Sequence, residues 1–307
     1  METPNKQAMS SDQEATCILK ENAILGEGAL WHPIAQVLYW VDIEGKALHI
    51  YDPEKQEDRL YDVNSRIGTV VPVEEGGAIV ALESGIHHID IKTGNLTLLT
   101  NPLKKQPGIR FNDGKCGPDN RFWVGTMALD KREGAAVLYK MEADGSIKQM
   151  LDNLTISNGI AWSLDAKTMY LSDTPTQTIF AFDFNSEKGE ISNRRKCIEI
   201  PKSEGSPDGM TLDAAGNLWI ALFGGAAVAC YAPETGKMIS KVKVPAPNVT
   251  SCAFGGPELD VLYITTGWEG LSDEQLQKYP DSGNLFSVKT GSKGIAANFY
   301  KMEKQVS

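Results

Sequence analysis

The chain has 307 residues, 41% hydrophobic and 23% charged, with 40 acidic and 30 basic residues and a net charge of −10. This is the balance of a soluble globular chain long enough to bury a large core, and it excludes a disordered or fibrous one. An acidic surface disfavours nonspecific nucleic-acid binding, and no run approaches the roughly 18 apolar residues of a membrane span. Neither nucleic acid nor a membrane is therefore expected as a partner, and a monomer or small homo-oligomer is expected. Residues 1–16, METPNKQAMSSDQEAT, are polar and lack the apolar core of a secretory signal. They are expected to form a disordered leader ahead of one domain over residues 17–307. Cys17, Cys116, Cys197, Cys230 and Cys252 are scattered, odd in number and without a CxxC pair. That usage predicts a reducing compartment, and the expected location is cytoplasmic.

One strand type recurs along the chain: Leu38-Tyr-Trp-Val-Asp42, Ala78-Ile-Val-Ala-Leu82, Arg121-Phe-Trp-Val-Gly125, Thr168-Met-Tyr-Leu-Ser172, Asn217-Leu-Trp-Ile-Ala221 and Val261-Leu-Tyr-Ile-Thr265. Its central residues are Trp40, Val80, Trp123, Tyr170, Trp219 and Tyr263, spaced by 40, 43, 47, 49 and 44 residues. Apolar, β-branched and aromatic side chains suit buried strands. Turn residues precede most of these segments, as in Gly117-Pro-Asp-Asn120 and Asp213-Ala-Ala-Gly-Asn217. A third strand follows most of them, as in Ala47–Tyr51, Ala136–Lys140 and Thr178–Phe182, and further turns lead to a fourth. A β-sandwich or two β-domains would also be all-β, but the regular period and the lack of a linker favour repetition. Four strands per unit and six units predict an all-β, six-bladed β-propeller with its site in the central channel. The helical-looking stretch Ser272–Lys278 opens on an N-cap-like serine and is too short to be a domain.

Ten to 13 residues before these central residues lies the innermost strand of each unit. There stand Gly26-Glu27-Gly28, Asn112-Asp113-Gly114, Ser157-Asn158-Gly159, Pro207-Asp208-Gly209 and Thr250-Ser251. Singly these are ordinary turn formers. Together, at one depth of a propeller, they bring Glu27, Asn158 and Asp208 to the axis with Asn112 or Asp113 close by. Carboxylates that meet cannot both stay ionised cheaply, and a divalent cation resolves the conflict. An all-oxygen set suits a hard cation such as Ca²⁺, Mg²⁺ or Mn²⁺; Zn²⁺ can bind carboxylates, but without His or Cys ligands it is not the ion that the ligand type predicts.

Leu25-Gly-Glu-Gly-Ala-Leu-Trp31, Arg110-Phe-Asn-Asp-Gly-Lys115, Gly125-Thr-Met127, Ile156-Ser-Asn-Gly159 and Pro207-Asp-Gly-Met210 resemble the SMP-30/gluconolactonase/luciferin-regenerating-enzyme family. The likeness continues through Ile191–Arg195, Thr250–Cys252 and Lys293–Ala296, covering residues 17–301. It implies a six-bladed propeller with one divalent cation in the channel. It implies Glu27, Asn158 and Asp208 as metal residues, with Asp208 also the proton acceptor and donor. It places substrate contacts on Arg110 and Asn112. An acidic family contact falls on Asp130, one methylene shorter than the family's Glu, with Glu133 as its stand-in.

A cation polarises an ester carbonyl and lowers the pKa of water, and an adjacent carboxylate relays the proton. The set therefore predicts hydrolysis of a sugar lactone, gluconolactone by default, to the aldonic acid, with Asp208 as base. A hydrolase of another strained ester or an organophosphate is one alternative. A calcium-binding propeller without catalysis is the other, and a substrate-orienting Arg110 argues against it. No GxSxG elbow, Walker loop or EF-hand spacing occurs. His49 is expected to pack rather than react. His87 and His88 point to opposite faces of a strand and cannot chelate together. Cys116 is expected as a buried apolar filler, and Trp31 and Trp268 at the mouth of the site.

Overall fold

The computed structural model describes residues 13–303, and these are nearly all β. Four antiparallel four-stranded sheets come first. They run Gly26–His32, Val37–Asp42, Ala47–Asp52 and Glu57–Asp62; then Ile67–Pro72, Ala78–Leu82, Gly85–Ile89 and Leu96–Thr100. Next come Ile109–Cys116, Phe122–Ala128, Ala136–Met141 and Ile147–Leu154; then Ser157–Trp162, Thr168–Asp173, Thr178–Asn185 and Glu190–Glu199. A nine-stranded sheet holds the rest. Its first half is Ser206–Leu212, Leu218–Phe223, Ala227–Ala232 and Lys237–Lys243, and its second is Asn248–Gly255, Val261–Gly267 and Leu285–Val288. The two halves meet at the single pair Phe223↔Asn248.

The remaining two strands come from the N-terminus. Gln13–Glu14 lies parallel to Lys237–Lys243, and Thr16–Leu19 pairs antiparallel with Leu285–Val288. Strand pairing thus begins ahead of residue 17. The boundary expected from polarity alone falls too late, because backbone pairing at a sheet edge needs no apolar side chain. Residues 1–12 of the expected leader lie outside the described residues.

All six repeated segments form the second strands of their units, and the strands before them pack side by side in a closed ring. Gly26–His32 touches Ile67–Pro72 on one flank and Asn248–Gly255 on the other. The core lies between neighbouring sheets. Val71, Ile79 and Ile86 of the second sheet interleave with Phe111, Phe122 and Tyr139 of the third. Ring closure leaves little room at the axis. A Cβ on Gly159 would stand 2.4 Å from the Asp208 carbonyl oxygen, which is a clash that only glycine avoids. The helix spans Asp273–Lys278, with Ser272 and Gln275 forming a reciprocal capping box. Among the described residues no helix is long and apolar enough to cross a membrane.

Candidate active site

Every strand of the inner ring carries a register shift against its second strand. The shifts fall between Glu27 and Leu30, Ile67 and Thr69, Phe111 and Gly114, Ser157 and Ile160, Pro207 and Met210, and Val249 and Ser251. An extra residue in one strand breaks the ladder and re-aims its side chains. Glu27, Asn112, Asp113, Asn158 and Asp208 all sit in or beside these irregularities. Gly28, at φ +61°, supplies the left-handed step in the first.

The Asp208 carboxyl interacts with the side chains of Asn158, from the adjacent inner strand, and of Glu27, from a non-adjacent strand of the same ring. All three side chains are buried, as are Arg110, Asn112 and Asp113. Glu27 Oε2 accepts from the Gly28 N–H at 3.1 Å, and Asn158 Nδ2 donates to Thr174 Oγ1 at 3.2 Å. Arg110 Nη1 donates to Asn112 Oδ1 at 2.7 Å and to the Phe111 carbonyl at 2.9 Å. Asn112 Nδ2 in turn donates to the Ser157 carbonyl at 2.9 Å. Asp113 is a member as well, its Oδ1 accepting from the Gly114 N–H at 2.8 Å.

Burial, then the charges of Asp208 and Asp113, push the Glu27 carboxyl well above its ordinary range. Burial and Asp113 do the same to Asp208, against the pull of Asn158 and Glu27. Burial pushes Asp113 up too. Desolvation lowers Arg110, while Glu27, Glu44 and Glu269 support its charge. Asp208 Oδ1, Asn158 Oδ1, Asp113 Oδ2 and Ser157 Oγ are buried with no hydrogen-bond partner. Orphaned buried acceptors are costly and call for an occupant. Carboxylate and amide oxygens beside mutually repelling acids are the donor set of a hard divalent cation, and these residues fit one.

Asp130 is not among them. It is exposed and pairs with Arg132 Nη1 at 2.9 Å, beyond the end of strand Phe122–Ala128, and Glu133 is exposed beside it. Asp130 thus stands apart from the buried cluster, in a solvent-exposed loop with Arg132 as its ion-pair partner. Trp31 also departs from expectation. It stacks on Tyr263 with centroids 5.5 Å apart and lines a cavity at the other end of the inner strands. Trp268 Nε1 donates to the Asn22 carbonyl at 3.0 Å. Cys116 is buried, and burial pushes its thiol well up.

A second grouping, Glu21, His49 and Asp58, places three possible ligand atoms within 4.8 Å of one another. Two of the three already satisfy each other. His49 Nδ1 meets Asp58 Oδ2 at 2.6 Å, Trp40 Nε1 donates to Asp58 Oδ1 at 3.3 Å, and the imidazole stacks on Trp40. This is a packed His–Asp pair in the outer strands of the first sheet. His87 and His88 contact separate carbonyls, those of Gly85 and Gly76.

The profile of the SMP-30/Gluconolactonase/LRE-like region matches residues 25–267. The chain belongs to this family. A Bacillus subtilis relative named "Putative sugar lactone lactonase YvrE" is 37% identical over 272 residues, 89% of this chain and 93% of its own length. Regucalcin of Danio rerio is 36% identical over 94% of this chain and 99% of its own. The crystal structure of a calcium-binding regucalcin from Agrobacterium tumefaciens superimposes with a TM-score of 0.91 at 26% identity. That match covers 95% of this chain and all of that one. The family match takes in Glu27, Arg110, Asn112, Asn158 and Asp208, the residues that the inner-strand irregularities bring together.

Proposed function

We propose that this chain is a divalent-cation-dependent lactonase that opens a sugar lactone to its aldonic acid. The observation that carries the reading is the convergence of Glu27, Asn158 and Asp208 with two orphaned oxygens among them. Relatives named for lactonase and calcium-binding roles support it. So does the fold, read as six blades: the four separate sheets, plus the two halves of the nine-stranded sheet split at Phe223↔Asn248. The five free cysteines fit a reducing compartment such as the cytoplasm.

Glu27, Asn158 and Asp208 hold the cation in this reading. When bound, it keeps both carboxylates ionised and polarises the lactone carbonyl, with Ca²⁺ the expected ion. Asp208 Oδ1, free of other partners, accepts a proton from water as the water oxygen bonds to the carbonyl carbon. The ring C–O bond breaks, and Asp208 returns the proton to the leaving alkoxide. Arg110 keeps donors beyond Nη1 for the substrate's oxygens. Asn112 spends its carbonyl on Arg110 and its amide on Ser157, so its chief work is to hold the guanidinium.

The test is a pH-indicator assay of D-glucono-δ-lactone hydrolysis after chelation, with Ca²⁺, Mg²⁺, Mn²⁺ and Zn²⁺ restored singly and spontaneous opening subtracted. Turnover returning with at least one cation is the expected result. Equal turnover in chelator and in every cation rejects the metal-dependent mechanism. No turnover of gluconolactone or of a panel of pentose lactones rejects the lactonase reading.

A further inference from the structure

The inner strands have a second end. Glu27, Arg110, Asn158 and Asp208 lie in their N-terminal halves, while Trp31, Lys115, Trp162 and Thr211 lie three to five residues further along the same strands. At about 3.3 Å per residue that is a separation of about 10–17 Å. The far level lines a cavity of ≈ 300 Å³. Its walls are mostly apolar, including Leu30, Ile160, Leu212 and Phe254, and Lys115 is the only charged residue among those that line it.

The Lys115 ammonium has three donors, and one is used on the Met210 carbonyl. Among the described residues it forms no ion pair within 4 Å, although Asp113 lies near enough to support its charge. A cation held this way in an apolar wall carries a desolvation cost that Asp113 and the Met210 carbonyl only partly offset. Trp31 and Trp162 line it as well, and both indole N–H groups are buried without a partner. The rim adds the opposite character. Leu164 and Ile295, 53% and 42% exposed, are large apolar side chains left in solvent at this opening. The segment 295–298 lines the cavity as part of a strap tied down on both sides, at Asp213↔Gly294 and Val73↔Tyr300.

We propose that this cavity is a second ligand site, for a small carboxylate carried on an apolar body. The carboxylate supplies the counter-charge and acceptors that Lys115 lacks, and the tail covers Leu164 and Ile295. An uncharged apolar molecule would leave the ammonium as it is. A polyhydroxy acid would leave the apolar walls unfilled. The site stands on residues outside the lactonase assignment and survives or fails independently of it.

Octanoate is the probe, with 1-octanol and gluconate as controls, titrated calorimetrically into the full chain in chelator so that no cation recruits the carboxylate to the other end. Octanoate is expected to bind, and Lys115→Met to weaken it at least tenfold with octanol unaffected. Lys115→Arg is expected to retain most of the affinity. Leu164→Ser, at an exposed position, is expected to weaken octanoate several-fold, and this holds the test open should Lys115→Met fail to fold. No octanoate binding at millimolar concentration overturns the proposal. So does binding that Lys115→Met and Leu164→Ser leave unchanged, or gluconate binding that matches octanoate and depends equally on Lys115.

Discussion

Gly26–His32 and Glu57–Asp62 are the first and last strands of one sheet. The first is buried along all but its final residue, while four of the six residues of the last are exposed. The contrast repeats in Ser157–Trp162 against Glu190–Glu199 and in Ser206–Leu212 against Lys237–Lys243. Inner strands crowd one another around an axis, so each side chain there is fixed by two neighbouring sheets. Outer strands meet solvent on most sides, where ion pairs such as Lys196–Glu199 contribute little. Chemistry can be placed accurately on the first kind of strand, and sequence can drift on the second.

Four substitutions or conditions probe that division. Asp208→Asn keeps the shape and removes the base. It is expected to lower kcat by about 10²–10⁴-fold with little change in melting temperature, measured with the cation at saturation. Gly159→Ala acts on backbone packing alone, forcing a Cβ against the Asp208 carbonyl. A loss of about 2–3 kcal/mol in denaturant titration, with activity falling alongside, is the expected result. An unchanged midpoint would mean that the ring is slacker than it stands here.

The third is pH in the chelated protein. Glu27 and Asp208 have folded-state pKa values raised above those of the unfolded chain, chiefly by burial. The folded state therefore holds protons that the unfolded state releases. Their contribution is fully present below the ordinary carboxylate range, near pH 4, and is lost as pH rises through the raised values. Thermal melts of wild type minus those of Asp208→Asn are expected to show stability falling with rising pH in chelator. Added cation is expected to flatten that difference. The smallest effect belongs to the rim: Lys196→Ala is expected to shift stability by less than about 0.5 kcal/mol and activity not at all.

The same division explains which parts could be read from the chain. The second strands announce themselves because Trp40, Trp123 and Trp219 sit in short apolar runs that recur at a steady period. Glu27, Asn158 and Asp208 were legible because polar residues recurred at one depth ahead of those runs. The irregularities that aim them were not, since a register shift is a relation between two strands and leaves no fixed residue signature. Asp113 was visible only as an alternative to Asn112, yet both belong to the cluster. The expectation at Asp130 rested on its place after Gly125-Thr-Met127, and its ion pair with Arg132 in the exposed loop was not legible from that spacing. Trp31 misled by adjacency. It follows Glu27 by four residues, and in an extended strand that distance carries it to the opposite opening.

Thr16–Leu19 completes the sheet of Leu285–Val288, with Cys17 opposite Phe286. All the residues between them must be made before those two partners can meet. Joining chain positions about 270 residues apart costs about 5 kcal/mol of loop-closure entropy when the chain between them is flexible, and less once local sheets have shortened that path. Without that pairing, the sheets would form a row with an unmatched edge at Leu285–Val288. Thr16–Leu19 is the clasp that holds the last sheet closed and so turns the row into a ring.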